Sequence, residues 1–195
     1  IGERGWRLVT GGGKHSCMGA ADMGHAKGRD MFNAHFPDAK YKPAHVGVST
    51  QQILRLEGPP DHLSQLIIAD DIYERMKIMI RGNRSKDPTQ RTRDAVRVII
   101  VAPGGTGTLH EFATLLQLAT NGDMMHSRKV ILLSPPSHLN PSEHFWQPLV
   151  EVSKQLGFDD QFTVVHTPEE ALRLADEVYA GWVERRPDER SHLPF

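Results

Sequence analysis

The 195-residue sequence is poor in the features that mark several specialised protein classes. Cys17 is the only cysteine, which excludes an intramolecular disulfide and a multi-thiolate zinc site and favours the reducing cytoplasm. No apolar run reaches the roughly 18 residues of a membrane span, and no signal-peptide pattern opens the chain. With 23 basic and 24 acidic residues, the net charge of −1 gives no reason to expect a nucleic acid or membrane partner. These absences predict a globular cytoplasmic protein with a small-molecule ligand.

Common metal and cofactor motifs are also missing. The chain has 11 histidines, but none forms an HExxH pattern or a pair spaced for one helical turn. The glycine-rich stretches contain neither the GK[ST] of a Walker A loop nor a GxGxxG dinucleotide fingerprint. We therefore predict no metal centre and no dinucleotide cofactor.

Short apolar runs that end in Gly or Pro alternate with longer segments of helical period. This pattern predicts an α/β, Rossmann-like three-layer fold, in which helices cover both faces of a parallel sheet. Strands are predicted over residues 7–10, 44–48, 65–69, 97–101, 129–133 and 162–165, and helices over residues 18–33, 71–80, 109–120, 143–156 and 168–185. The last helix has a strong start signal, because Thr167, Pro168 and Glu170 form a capping box with proline at the first helical position.

Two segments fall outside this pattern. Residues 81–94 carry excess positive charge and no large apolar side chain, which is typical of a solvated loop or of a basic flap over an anionic ligand. Residues 186–195 have no helical period, which predicts a C-terminal tail that is either a terminal extension or a partner-binding strip. We predict a single domain over residues 1–185, followed by this tail.

The most informative stretch joins a buried strand directly to an amphipathic helix. After Pro103 it contains, in order, Gly104, Gly105, Thr106, Gly107 and Thr108. A helix N-terminus at the carboxyl end of a parallel strand offers N–H groups to an anion, and the threonines add hydroxyl donors suited to a phosphate. The alternative is a tight turn in which glycine only relieves the backbone.

Two charged residues near such loops are candidates for chemistry. Glu111 follows Thr108 by three residues, so it is either a functional carboxylate or the second half of a capping box. Arg75 borders an apolar helix face, where a guanidinium needs an anionic partner. That partner is either a ligand or one of the neighbours Asp70 and Asp71. A second glycine cluster, Gly11 to Gly13, also joins a strand to a helix.

The complete PGGxGTxxE pattern, Pro103 to Glu111, resembles the LOG ("lonely guy") family of nucleoside monophosphate phosphoribohydrolases, also known as possible lysine decarboxylases. The triple glycine and Met18 upstream match the same family. The segments GHAKGR at residues 24–29, LEGPPD at 56–61 and DDIYERM at 70–76 are similar to bacterial purine/pyrimidine nucleotide 5'-monophosphate nucleosidases of this superfamily.

The resemblance implies hydrolysis of the N-glycosidic bond of a nucleoside 5'-monophosphate, of purine, pyrimidine or cytokinin type, without metal or organic cofactor. It implies that Arg75 and Glu111 are catalytic. It implies that the nucleotide is bound by Gly12, Gly13, Met18, Glu57, Gly104, Gly105, Thr106, Gly107 and Thr108. A non-catalytic nucleotide carrier or sensor on the same fold is the alternative.

The resemblance also implies a homodimer or higher homo-oligomer. Family members have a strand and a helix before the triple glycine, so we expect residues upstream of Ile1 in the complete protein. Where the family usually has Gly-Leu-Met-Gly, this chain has Ser16 to Gly19 with the sequence SCMG, from which we expect a different backbone path. No lysine has a recognisable setting for a pyridoxal phosphate Schiff base, so lysine decarboxylation is not expected.

Overall fold

The computed structural model describes residues 1–82, 96–121 and 128–185, with side chains described as far as residue 181. The chain divides into two compact units, Ile1–Val96 and Arg97–Arg185. Each unit contains three parallel strands and the helices that follow them. No helix in the three described ranges combines the length and apolar composition of a bilayer-spanning segment.

The first unit has the strand order β1-β2-β3. Along the chain it contains a short 3-10 helix at Gly2–Arg4, β1 at Leu8–Thr10, α1 at Ser16–His35, β2 at His45–Thr50, α2 at Gln51–Glu57, β3 at Gln65–Ala69 and α3 at Ile72–Arg81. Val46 of β2 is in register with Val9 and with Gln65. The core is formed by Val46, Val48, Ile67, Ala69 and Ile78. The strand β2 is central and buried along its whole length, and Thr10 at the end of β1 is in register with Gly47 of β2.

The second unit repeats the arrangement with the order β4-β5-β6. It contains β4 at Val98–Val101, α4 at Thr106–Thr120, β5 at Lys129–Leu133, α5 at Gln147–Gln155, β6 at Thr163–Val165 and α6 at Pro168–Arg185. Ile131, Val165 and Ala171 form a buried cluster between β5, β6 and α6. The capping box of α6 is confirmed, since Glu170 N–H donates to Thr167 Oγ1 and Thr167 N–H donates to Glu170 Oε2, both at 3.2 Å.

The predicted α/β Rossmann-like class with parallel strands is confirmed, and every predicted strand is present. Two helix starts were wrong. The helix after the glycine motif begins at Thr106 rather than at residue 109, and α5 begins at Gln147 rather than at residue 143. Pro148 is tolerated in α5 because it stands in the first turn, where its missing N–H has no helical partner.

The short helix α2 was not predicted. It has seven residues, and its start depends on the Thr50 side chain, which accepts a hydrogen bond from Ile53 N–H at 3.3 Å. This helix carries Glu57 at its last position. Residues 81–94, predicted to be a loop or a basic flap, lie almost wholly outside the described residues, and the predicted tail lies outside them. The single domain over residues 1–185 stays a prediction.

The 3-10 helix packs so tightly on α1 that only glycine fits at Gly28. A Cβ there would lie 2.7 Å from the backbone N of Glu3 and 3.2 Å from the carbonyl carbon of Gly2, whereas a Cβ at Gly24, one turn earlier, would meet nothing within 4 Å. We expect Gly28→Ala to lower the free energy of unfolding by about 1–3 kcal/mol through backbone overlap. Gly24→Ala should raise it by about 0.5–1 kcal/mol through helix propensity. Urea unfolding of both variants tests this, and equal effects would contradict it.

Candidate functional site

The glycine motif of the second unit forms the start of a helix with no side-chain cap. Gly105 is the N-cap residue of α4, and its carbonyl accepts Leu109 N–H at 3.1 Å. Thr106, Gly107 and Thr108 occupy the first helical turn, where helix geometry provides no acceptor for their N–H groups. The positive end of the α4 dipole lies at the same place, so this helix end is suited to an anion.

The three glycines of this motif have different surroundings. A Cβ on Gly104 would overlap Thr108 Oγ1, so the Thr108 side chain folds back over Gly104. A Cβ on Gly105 or Gly107 would meet nothing within 4 Å. Gly104 is thus required for packing within the motif, whereas Gly105 and Gly107 leave their backbone open to a ligand.

Glu111 is not part of a capping box. Because α4 begins at Thr106, Thr108 lies inside the helix and Glu111 lies in its second turn. Residues four apart share a helix face, so Glu111 stands one turn behind the open Gly107. Glu111 is half-buried, and the predicted alternative of a capping box with Thr108 does not fit this helix start.

An apolar cavity of about 440 Å³ adjoins this helix start. Leu109 on α4 and Val152 on α5 line it, and their side chains are 41% and 49% exposed. The remaining lining residues are Gly104, Phe145, Trp146, Pro148 and Leu149. The cavity places an apolar surface beside the predicted phosphate site.

In the first unit, the triple-glycine loop gathers several predicted site residues. Gly12 has a φ of +69°, which glycine adopts without strain. A Cβ on Gly11 would overlap the Arg75 guanidinium, and a Cβ on Gly13 would overlap the Glu57 carboxylate. Met18 lies beside both glycines. Its Sδ would be 2.9 Å from a Cβ built on Gly11, and its Cε would be 2.6 Å from a Cβ built on Gly13.

Arg75 connects this loop to the sheet and to α3. Its side chain is 5% exposed, its Nε donates to the Val48 carbonyl at 2.9 Å, and its Nη2 donates to the Gly11 carbonyl at 3.2 Å. The Asp71 carboxylate, one of the predicted alternatives as its partner, caps α3 by accepting Tyr73 and Glu74 N–H at 2.8 Å. Arg75 is thus a cation held in place by backbone carbonyls.

Two buried polar atoms near the loop have no hydrogen-bond partner within the described residues. They are Glu57 Oε2 and Ser49 Oγ. A buried carboxylate oxygen without a donor costs free energy, so a bound hydroxyl or amine donor at Glu57 would be stabilising. Ser16 also departs from ordinary geometry, since its φ of +56° is a left-handed conformation that glycine favours. Unpaired polar atoms and a strained backbone position therefore both lie close to the loop.

The sequence analysis did not predict a buried polar network of Asp22, His45 and Thr10 that lies behind the loop. His45 Nδ1 lies 2.7 Å from Asp22 Oδ1, and His45 Nε2 lies 2.9 Å from Thr10 Oγ1. Asp22 Oδ2 accepts His62 N–H at 3.1 Å. The signal was faint, because it consisted of one histidine in an otherwise apolar strand and one aspartate on the inner face of a helix.

Burial lowers the pKa of His45 and of His25, whose rings are 5.6 Å apart. Desolvation of the charged form is the main cause for both residues. A hydrogen bond and the charge of Asp22 oppose it at His45, and a hydrogen bond to the Trp6 carbonyl opposes it at His25. The folded protein therefore favours neutral imidazoles at this place.

The structure thus brings the predicted residues together in two groups. The loop of the first unit gathers Gly12, Gly13, Met18, Glu57 and Arg75, and the start of α4 in the second unit gathers Gly104, Gly105, Thr106, Gly107, Thr108 and Glu111. Among the described residues, no cluster of three or more His, Cys, Asp or Glu side chains is arranged to hold a metal ion.

The hydrogen bonds of Arg75 give a stability prediction. Arg75→Lys keeps the charge but cannot reproduce both bonds to carbonyls, and we expect the free energy of unfolding to fall by about 1–3 kcal/mol. Arg173 is the matched control, because its side chain is 64% exposed and pairs with Glu177 on the surface of α6. Arg173→Lys should change stability by less than about 0.5 kcal/mol in the same urea titration. A similar loss of unfolding free energy in both variants would show that the two carbonyl bonds of Arg75 do not stabilise the fold.

The lowered pKa values of His25 and His45 give a pH prediction. Since each folded pKa lies below the ordinary value of 6.5, both residues add stability above that pH and lose it as the pH falls through the folded pKa. We expect the stability difference between the wild type and His45→Gln to shrink on acidification. His138→Gln, at an exposed position outside the buried network, is the control for the substitution itself. A His45 difference that grows on acidification would reverse the assignment.

The sequence is similar to that of known proteins. A family model described as "Possible lysine decarboxylase" matches residues 23–180. A protein of Mycobacterium marinum named cytokinin riboside 5'-monophosphate phosphoribohydrolase is 28% identical over 141 residues, and one of the same name from Mycobacterium tuberculosis is 30% identical over 142 residues. Each match covers 72% of this chain and 60% of the relative, so the chain spans about three fifths of the length of these proteins. The chain therefore belongs to the possible lysine decarboxylase family, as its resemblance to the LOG proteins predicted.

Proposed function

We propose that the protein hydrolyses the N-glycosidic bond of a nucleoside 5'-monophosphate and releases free base and ribose 5-phosphate. The observation that carries this proposal is the start of α4, where an uncapped helix end opens at Gly105 and Gly107 with Glu111 one turn behind it. The names of the two mycobacterial relatives support the same reaction.

The phosphate is proposed to bind at the first turn of α4. Backbone N–H groups of Thr106 to Thr108 would donate to its oxygens, and the helix dipole favours its charge. Binding energy from this remote group would position the sugar, so that a nucleoside without the phosphate reacts more slowly.

Cleavage of the glycosidic bond develops positive charge on the sugar in an oxocarbenium-like transition state. We assign to the Glu111 carboxylate the stabilisation of that charge and the orientation or deprotonation of the attacking water. Arg75, a cation held by two carbonyls, is proposed as the second catalytic residue, and its charge suits an anionic nucleotide.

Glu57 and the triple-glycine loop are proposed to contact the nucleotide. The orphaned Glu57 Oε2 beside Gly13 supports this role, since a ligand donor would satisfy it. The apolar cavity beside Gly104 supports binding of a flat or alkylated base near the phosphate site. The breadth across purine, pyrimidine and prenylated bases and a homo-oligomeric state are parts of the same proposal.

The test is a chromatographic assay with AMP, GMP, CMP, UMP and a prenylated AMP, in which free base and ribose 5-phosphate are measured. Glu111→Gln keeps the shape but removes the charge, and we expect kcat to fall by at least about 100-fold with KM little changed. Glu169→Gln, in the exposed first turn of α6, is the matched control and should retain wild-type kcat.

The possible results separate the alternatives. Base release that is lost only in Glu111→Gln supports the proposed hydrolase. Full activity of a folded Glu111→Gln would remove the carboxylate from the mechanism. Saturable nucleotide binding by the wild type without any base release would instead identify a carrier or sensor.

A further inference from the structure

The buried network behind the triple-glycine loop links three elements of the first unit. Thr10 ends β1, Asp22 lies on α1, and His45 begins β2. His45 is fully buried and Asp22 is 3% exposed. A further contact extends the network into the triple-glycine loop, because Gly12 N–H points at Thr10 Oγ1 at 3.4 Å.

These contacts fit one direction of hydrogen bonding. Asp22 as a carboxylate only accepts, so His45 Nδ1–H donates to it. In the neutral imidazole the other nitrogen, Nε2, is then an acceptor, and the Thr10 hydroxyl donates to it. The Thr10 oxygen keeps its lone pairs for Gly12 N–H. Each hydrogen bond between Gly12 and Asp22 thus has one direction.

The surroundings of His45 agree with this direction. The other titratable and charged groups facing it are His25 and Arg29, both on α1 like Asp22. Ser64, in the loop before β3, accepts the backbone N–H of His45 at 3.1 Å, and the His62 N–H in the same loop holds Asp22. Burial and Arg29 disfavour a charged imidazole, and the aspartate fixes its tautomer.

This series of hydrogen bonds ends at the triple-glycine loop, which also contacts the proposed catalytic Arg75. Gly11, beside Thr10, accepts the Arg75 bond with its carbonyl, and Gly13 abuts the Glu57 carboxylate. The left-handed Gly12 lies between them. A shift of Gly12 would therefore displace Gly11 and Gly13 and change the contacts of this loop with Arg75 and Glu57.

We propose that Asp22, His45 and Thr10 form a positioning relay that fixes the triple-glycine loop and thereby the placement of Arg75 and Glu57 for the substrate. Burying an ionisable pair is weak evidence for a stabilising role, because an apolar pair of the same volume is often as stable. We therefore assign to the relay the role of holding the loop in place and not that of stabilising the fold. The inference rests on the nucleotide hydrolase proposed above.

The test compares Thr10→Val, which removes the hydroxyl at nearly constant shape, with Thr10→Ser, which restores it. Thr120→Val is the matched control, since the Thr120 hydroxyl bonds to the Leu116 carbonyl at the far end of α4. We expect kcat/KM for the best nucleotide to fall about tenfold or more in Thr10→Val at a temperature well below unfolding. Thr10→Ser should recover to within about twofold, and Thr120→Val should match the wild type.

Two readouts do not depend on turnover. Amide hydrogen exchange at Gly11 to Gly13 should become faster in Thr10→Val and remain slow in Thr10→Ser. Imidazole 15N spectra of the wild type should show His45 as the neutral Nδ1–H tautomer. A wild type without base release but with both readouts as expected would refute the hydrolase and leave the loop-positioning part supported.

Three results would overturn the relay. They are an unchanged kcat/KM in Thr10→Val, a Thr10→Ser variant as impaired as Thr10→Val, and an Nε2–H tautomer at His45 in the wild type. If Thr10→Val does not fold, the tautomer of His45 in the wild type still tests the relay.

Discussion

The first unit depends on one buried interaction, the guanidinium of Arg75 bonded to the carbonyls of Gly11 and Val48. A buried cation has to be hydrogen-bonded to be tolerated, and these carbonyls come from the loop after β1 and from β2. The bonds fix α3 against the sheet and draw the loop onto the arginine. Glycine at position 11 follows from this constraint, because a Cβ would occupy the place of the guanidinium.

The glycines of the two loops show how one residue type serves two physical purposes. Gly11, Gly13 and Gly104 stand where neighbouring side chains fill the space that a Cβ would need. Gly105 and Gly107 stand in open space, where their bare backbone is accessible. A count of glycines in the sequence therefore indicates a ligand loop but does not separate packing positions from binding positions.

The sequence predicted those elements whose signals are local. The strands Gln65–Ala69 and Lys129–Leu133 and the helix Pro168–Arg185 lie where predicted, because apolar runs, turn residues and a capping box mark their ends. The start of α4 was placed three residues late, since threonine and glycine are poor helix formers and a glycine N-cap gives no side-chain signal. The motif residues themselves were found from their pattern. Their catalytic and binding roles stay predictions.

The relay behind the loop could not be found in this way. Its bonds join residues 35 and 23 positions apart, and they form because β1 pairs in parallel with β2 and α1 packs against β2. Periodicity describes which face of an element is apolar, so a buried Asp22 and His45 read as exceptions to the pattern. Tertiary pairing turns those exceptions into a satisfied network.

The uncapped start of α4 has a consequence for how this helix is completed. Most helices carry the acceptor for their first N–H groups in their own sequence, as α6 does with Thr167 and Glu170. The N-cap residue Gly105 has no side chain to supply one, and a bound anion would fill that role. A phosphate at this position would be the N-terminal cap of α4, and the ligand would complete an element of secondary structure as well as occupy a site.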